Sequence, residues 1–143
     1  MAVSELNTLI RLSRWKLDEK RRALGELQAL AERLAGEIAR LESEVQAEQQ
    51  AARCSAEVGF AYANFARQAI DRRRRIEQSI AEVSRQIEAA TAEMAEAFQE
   101  LKRFELTQEG RDRREQARLR QRESAALDEM ALTGYRRRRQ TGM

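Results

Sequence analysis

The side chains that come closest to a catalytic arrangement are two pairs of carboxylates. Glu42 lies two residues from Glu44, and Asp128 is next to Glu129; paired carboxylates with different pKa values can act as general acid and base. The chain has no histidine, so imidazole is absent as a base, proton shuttle or metal ligand. Since both pairs lie in long charged stretches, we interpret them as solvated helix charges and predict no catalytic residues.

The sequence also does not support catalysis by a thiol or the binding of a phosphate group. Cys54 is the single cysteine, and one thiol forms neither an internal disulfide nor a zinc cage. We therefore expect a reducing compartment. No glycine-rich phosphate loop occurs along the chain. The sequence predicts no enzymatic activity, no cofactor and no bound metal.

The composition favours long helices. Of the 143 residues, 36% are charged, 42% hydrophobic and 5% aromatic, and none is proline. This is too charged for a spherical core and too apolar for a disordered tail. No targeting segment is seen, and no run approaches the roughly 20 apolar residues of a membrane-crossing helix. We expect a soluble cytoplasmic chain without membrane insertion.

A heptad repeat runs through the first third of the chain and indicates a coiled coil. Its polar exceptions are Ser13, Lys20 and Glu48. A second apolar stripe, spaced by fours and threes, runs from Ile76 to Phe104. The first repeat has an a series (Val3, Ile10, Leu17, Leu24, Ala31, Ile38, Val45) and a d series (Leu6, Ser13, Lys20, Leu27, Leu34, Leu41, Glu48).

These stripes predict an all-α fold, a long antiparallel two-helix coiled-coil hairpin whose second helix is longer than the first. We place helix 1 at about 4–54, a turn at 55–59 containing Gly59, and helix 2 at about 60–137, within one domain spanning 1–143. Residues whose numbers add to about 114 then face one another, so that Leu24 meets Ala90 and large side chains oppose small ones.

Charge divides the chain near Gly110. Residues 1–110 have 17 basic and 19 acidic side chains, whereas residues 111–143 have 10 arginines and 5 acids. The predicted register leaves residues 111–139 as an unpaired basic overhang, called the basic segment below. Such a helix either seeks an acidic partner or remains a solvated, partly frayed end. Nucleic acid fits less well, because acids are interleaved and no aromatic stacking platform is present.

Aromatic residues follow the predicted turn. Phe60 and Phe65 cannot both face helix 1, so either the tip of the hairpin exposes a binding knob or these rings fold over Cys54 and Val58 as a cap. Trp15 points away from the seam. Arg73 falls on a core position of the coil. Together with the small Ala66 and Ala69 it predicts a thin, poorly packed stretch there. This stretch holds either a snorkelled arginine, whose stem lies along the coil while its charge reaches water, or an inserted partner.

The chain resembles the FliJ family of the bacterial flagellar type III export apparatus along essentially its whole length. The resemblance rests on the overall hairpin pattern and on three elements. These are Tyr62-Ala-Asn-Phe65 after the turn, Lys102-Arg103-Phe104-Glu105-Leu106, and Leu127-Asp128-Glu129-Met130-Ala131 in the arginine-rich tail. Ala69 and Arg72 depart from the family, which has bulkier or neutral side chains there.

That resemblance implies a non-enzymatic stalk between an export ATPase hexamer and the cytoplasmic domain of the membrane export gate. Because some members of the family also bind export chaperones, the resemblance further implies that this chain has such chaperones as partners. It implies a cytoplasmic location, peripheral to the inner membrane at the flagellar base. The implied gate-binding residues are Phe60, Tyr62, Phe65, Ala69 and Arg72. The residues implied to face the ATPase ring are Arg113, Arg114, Arg118, Arg122, Leu127 and Met130.

Two alternatives remain open at the level of sequence. The stalk protein of a virulence secretion system, the injectisome, shares the same architecture. A coiled coil that binds nucleic acid or another anionic surface through its C-terminal arginines would instead show binding that weakens steeply with salt.

Overall fold

The computed structural model consists of two helices. It describes residues 3–54 and 56–142, and the side chains of residues 5–54 and 60–142. Helix α1 is Val3–Ala52 and helix α2 is Ala56–Thr141. The described residues contain no strand. The predicted all-α hairpin with the longer second helix is confirmed, and the absence of proline explains why neither helix is interrupted.

The turn lies earlier than predicted. Backbone NH groups of Arg53 and Cys54 donate to the carbonyl oxygens of Gln50 and Ala51, at 3.3 and 3.1 Å, and these three-residue steps tighten the end of α1. Because α2 begins at Ala56, residues 56–59 of the predicted turn are helical, and Ser55 lies outside the described residues. A single helical glycine costs only about 1 kcal/mol, so Gly59 does not stop α2.

The chain divides into two compact units, one formed by Met1–Leu12 with Glu100–Met143 and the other by Ser13–Gln99. The prediction of one coiled-coil domain stays a prediction. Within each unit the two helices pair antiparallel, and three polar contacts each lie within one residue of the predicted register. These are Lys20 Nζ to Glu93 Oε2 at 2.9 Å, Arg73 Nη2 to Glu42 Oε1 at 3.0 Å, and Gln108 Nε2 donating to Asn7 Oδ1 at 2.8 Å.

The core of each unit is the predicted apolar seam. In the larger unit Leu41, Ala69 and Ile76 form a buried cluster against which Phe65 packs. Ser13 is buried although polar, whereas Glu48 is exposed, and the side chain of Val3 lies outside the described ones. The heptad therefore predicts the buried face correctly. Its buried members are Leu6, Ile10 and Leu101 in the smaller unit, with Leu17, Leu41, Ala69, Ile76 and Val83 in the larger one.

Neither α1 nor α2, as far as the structure describes them, has a stretch that is long and apolar enough to cross a bilayer.

Candidate functional site

The aromatic residues at the start of α2 point in different directions. Phe60 is 88% exposed, whereas Tyr62 and Phe65 are half-buried. Phe65 packs against the Leu41 cluster. Of the two phenylalanines that could not both face α1, Phe65 is therefore the one that does. An almost fully exposed phenylalanine does not cap the hairpin, so Phe60 is the exposed knob; the side chain of Val58 lies outside the described residues.

The five residues implied for gate binding are not one exposed patch. Ala69 is buried in the core cluster, and Phe65 is partly buried against it. Arg72 is exposed and lines a small polar groove with Glu37, Arg40, Leu41 and Glu44. Phe60 and Arg72 are therefore the exposed members of this set, Tyr62 and Phe65 are half-exposed, and Phe65 packs against the cluster that contains Ala69.

A second, larger groove lies between the helices near the same end of the larger unit, and we call it the apolar groove. It has a volume of about 370 Å³. Ala66 and Ala69 are too small to fill the space opposite α1, which confirms the predicted thin stretch. Ile70, which the sequence did not single out, is 53% exposed at its edge. The lining residues are Leu41, Glu42, Val45, Gln46, Tyr62, Ala66, Ala69, Ile70 and Arg73.

Arg73 lies at the edge of the apolar groove with its charged group in solvent. Its Nη2 is 3.0 Å from Glu42 Oε1 and its Nε 3.0 Å from Glu77 Oε1. The hydrogen bond that Arg73 donates to Glu77 and the charge of Glu42 raise the pKa of the Arg73 guanidinium. The snorkelled arginine is therefore the observed state of this core position, with Glu42 on α1 and Glu77 on α2 as its partners.

The basic segment is helical and open to solvent. Residues 112–133 are all exposed, including Leu127 at 65% and Met130 at 71%. Exposed apolar residues that sequence reasoning missed are Leu132 and Tyr135. All six residues implied to face the ATPase ring are thus accessible: Arg113, Arg114, Arg118, Arg122, Leu127 and Met130.

One arginine of the basic segment is held by a carboxylate on its own helix. Arg118 donates through Nη2 to Glu115 Oε1 at 2.7 Å and through Nε to Glu115 Oε2 at 3.2 Å. This bidentate pair lowers the pKa of the Glu115 carboxyl and raises that of Arg118. An exposed pair three residues apart fixes the direction of a side chain more than it stabilises the helix.

Other sites offer less. Trp15 is exposed on α1, as predicted, at 61%. Within residues 3–54 and 56–142, no three His, Cys, Asp or Glu side chains are grouped in a way that could hold a metal ion. The described residues thus expose an aromatic end of the hairpin with two grooves, and a basic helix with apolar side chains.

Comparison with known proteins gives one match. The model of a protein family described as "Flagellar FliJ protein" matches residues 1–140. No curated protein and no solved structure matches the chain.

Proposed function

The chain belongs to the FliJ family of flagellar proteins, and from that premise we propose that it is a coiled-coil stalk of the flagellar type III export apparatus. In this role it couples the export ATPase hexamer to the cytoplasmic domain of the export gate. The observation that carries the proposal is the family match over residues 1–140, which includes the aromatic end and the whole basic segment. Its action is binding and mechanical coupling, without chemistry of its own.

The gate-binding end is the surface around Phe60 and Arg72. Exposed aromatic and arginine side chains contribute most to protein interfaces, and both are exposed here. Tyr62 and Phe65 add their exposed edges. Ala69 acts from beneath, since it is part of the buried cluster.

The ring-facing end is the basic segment. Its excess of arginines attracts an acidic surface and accelerates encounter. Leu127 and Met130 supply apolar area that becomes buried when a partner covers the helix. Export chaperones are further candidate partners, and binding to the gate would place the protein at the cytoplasmic face of the inner membrane at the flagellar base.

The test uses purified full-length chain with the gate cytoplasmic domain and with the export ATPase. We expect Phe60→Ala combined with Arg72→Ala to weaken gate binding at least about tenfold, as loss of two anchor residues does. Leu127→Ala combined with Met130→Ala should reduce stimulation of the ATPase and leave gate binding intact.

Two exposed apolar residues outside these surfaces provide matched controls. Trp15→Ala removes an exposed ring from α1 and should leave gate binding unchanged. Leu106→Ala removes a side chain as exposed as Leu127 and should leave ATPase stimulation unchanged. Undiminished gate binding by the Phe60/Arg72 variant, or undiminished stimulation by the Leu127/Met130 variant, would overturn the corresponding assignment.

A further inference from the structure

The last turns of α2, residues 131–142, carry four consecutive arginines beside two exposed apolar side chains, Leu132 and Tyr135. We propose that these residues, called the tetra-arginine segment below, bind the surface of a bilayer that contains anionic lipids. The helix lies along the headgroups and does not span the bilayer. All residues assigned to the ATPase ring precede this segment, and the contact needs neither the ring nor the gate, so it goes beyond the proposed function.

The positive charge of the tetra-arginine segment is not neutralised within the described chain. The last acidic residue of the sequence is Glu129, and it precedes Arg136 by about 10 Å along the helix axis. Among the described residues, no carboxylate forms an ion pair with the arginines at 136–139, whereas Arg73 and Arg118 are each held by a glutamate. Four charges are therefore available to an anionic partner.

The segment remains helical as far as Thr141. The hydroxyl of Thr141 donates to the carbonyl oxygens of Arg137 and Arg138 at 2.9 and 3.2 Å, and the backbone NH of Gly142 donates to that of Arg138 at 3.0 Å. These bonds satisfy carbonyl groups that a helix end otherwise leaves without partners. Since successive side chains on a helix point about 100° apart, the four arginines carry positive charge to every side of it.

Leu132 and Tyr135 supply an apolar contact. They are 56% and 64% exposed, and because they are three residues apart they share one side of the helix. Arg139, four residues after Tyr135, lies on the same side, where an arginine stem covers apolar surface while its charge reaches the headgroups. Tyrosine is enriched at membrane interfaces, since its ring is apolar and its hydroxyl is hydrated. Asp128, one turn before Leu132 on that side, marks the upstream limit of this surface.

This combination favours a bilayer over other anionic partners. Four or more basic residues on a helix with exposed apolar side chains are typical of segments that bind anionic lipids. Duplex nucleic acid offers phosphates, but its backbone offers no apolar layer to Leu132 and Tyr135. A folded acidic protein has a fixed arrangement of charges, whereas mobile anionic headgroups gather around arginines that point in several directions.

Co-sedimentation of the full chain with vesicles tests the binding. We expect binding to vesicles of phosphatidylcholine with about 30% phosphatidylglycerol, and none to phosphatidylcholine alone. A basic residue near an anionic surface contributes about fivefold to the affinity. Replacing all four arginines at 136–139 by glutamine should therefore weaken binding at least about a hundredfold.

A matched control removes the same charge from exposed sites elsewhere on the chain, and it should weaken vesicle binding less than about tenfold, because only the general attraction is reduced. Circular dichroism of both variants establishes that the hairpin is folded. The control combines Arg33→Gln, Arg40→Gln, Arg74→Gln and Arg75→Gln.

Tryptophan fluorescence locates the contact on the helix. In a Trp15→Phe background, Tyr135→Trp places the only tryptophan in the tetra-arginine segment, and Leu106→Trp places it at a site of similar exposure, 61% against 64%. With anionic vesicles, the emission of Tyr135→Trp should shift to shorter wavelength and be quenched by brominated lipid, because the ring leaves water. The emission of Leu106→Trp should stay unchanged.

A double variant separates a bilayer from nucleic acid. Leu132→Ala combined with Tyr135→Ala should weaken vesicle binding about tenfold, since it removes apolar area that the bilayer covers. Any binding of duplex DNA, which depends on charge alone, should be the same in this variant as in the unaltered chain.

The proposal is supported by binding that requires phosphatidylglycerol, that depends on the four arginines more than on the control arginines, and that moves the emission of Tyr135→Trp. No binding to anionic vesicles at physiological salt would overturn it. Equal losses in the two arginine variants, or binding indifferent to Leu132 and Tyr135, would overturn it as well and leave the arginines to a nucleic acid or an acidic protein. These measurements use only the chain and vesicles, so their failure is distinct from failure of the gate and ATPase tests.

Discussion

At the level of single residues, ion pairs of the described chain mainly fix the direction of long charged side chains, and Arg73 is the clearest case. Arg73 stands on the seam of the coil, and its stem runs along the apolar groove to reach Glu42 and Glu77. The sequence predicted the snorkelling as one of two alternatives but not the partner. Glu42 and Glu44 are two residues apart on α1, so their side chains point about 200° apart around the helix, and Glu42 is the one that pairs with Arg73.

The Glu115–Arg118 pair gives a prediction about pH. The hydrogen bond from Arg118 favours the charged carboxylate and lowers the pKa of Glu115. The pair is therefore complete above the ordinary glutamate value of about 4.3, and it is lost as pH falls through the lower folded value. Arg118→Ala should raise the Glu115 pKa toward the ordinary value, measured by carboxyl carbon NMR titration.

Arg120→Ala is the control for that titration. It removes an equal charge from the same segment without removing a donor to Glu115, whose pKa is set by Arg118 and, more weakly, by Arg122. A Glu115 pKa that moves equally in both variants would show that general charge, and not the bidentate pair, is responsible.

At the scale of elements, α2 consists of a part that packs against α1 and a part that does not. The periodicity alone predicted both helices, because apolar spacing is local information. It did not locate the turn. The end of α1 is set by backbone hydrogen bonds at Arg53 and Cys54. Gly59, which was expected to lie in the turn, is instead part of α2.

Substituting one buried and one exposed leucine should show that the packed part of the hairpin contributes more to the free energy of unfolding than the basic segment. Leu17 is buried on the seam and Leu127 is exposed on the basic segment. Leu17→Ala should lower the free energy of unfolding by about 2–3 kcal/mol, since it leaves a cavity. Leu127→Ala should change it by less than about 0.5 kcal/mol. Urea unfolding followed by circular dichroism measures both, and equal losses would contradict the burial pattern.

At the scale of the whole molecule, net charge and burial are distributed unequally along the sequence. Every buried residue of the described chain lies between Leu6 and Leu101. The arginine excess lies after residue 110. The buried residues that stabilise the described part of the fold therefore all lie before the basic segment.

Truncation at residue 110 tests that separation. Since residues 112–133 are all exposed, their removal should change the stability little, and a chain of residues 1–110 should unfold within a few degrees of the full-length midpoint. A loss of about 1 kcal/mol would already lower that midpoint by several degrees. The measurement is thermal unfolding by circular dichroism at matched concentration. A midpoint lower by more than about 10 °C would mean that the basic segment supports the hairpin.

The helices, the seam between them, the antiparallel register and the change in charge near Gly110 could all be predicted from the amino-acid sequence. These follow from side-chain periodicity and composition, which are read along one dimension. The packing of the two helices was needed to show that Phe60 is exposed while Phe65 packs inward. It was also needed to show that Ala69 is buried and that Ala66 and Ala69 leave a groove beside Ile70. Such features depend on the rotation of each helix about its axis, where a shift of one residue turns a side chain by about 100°.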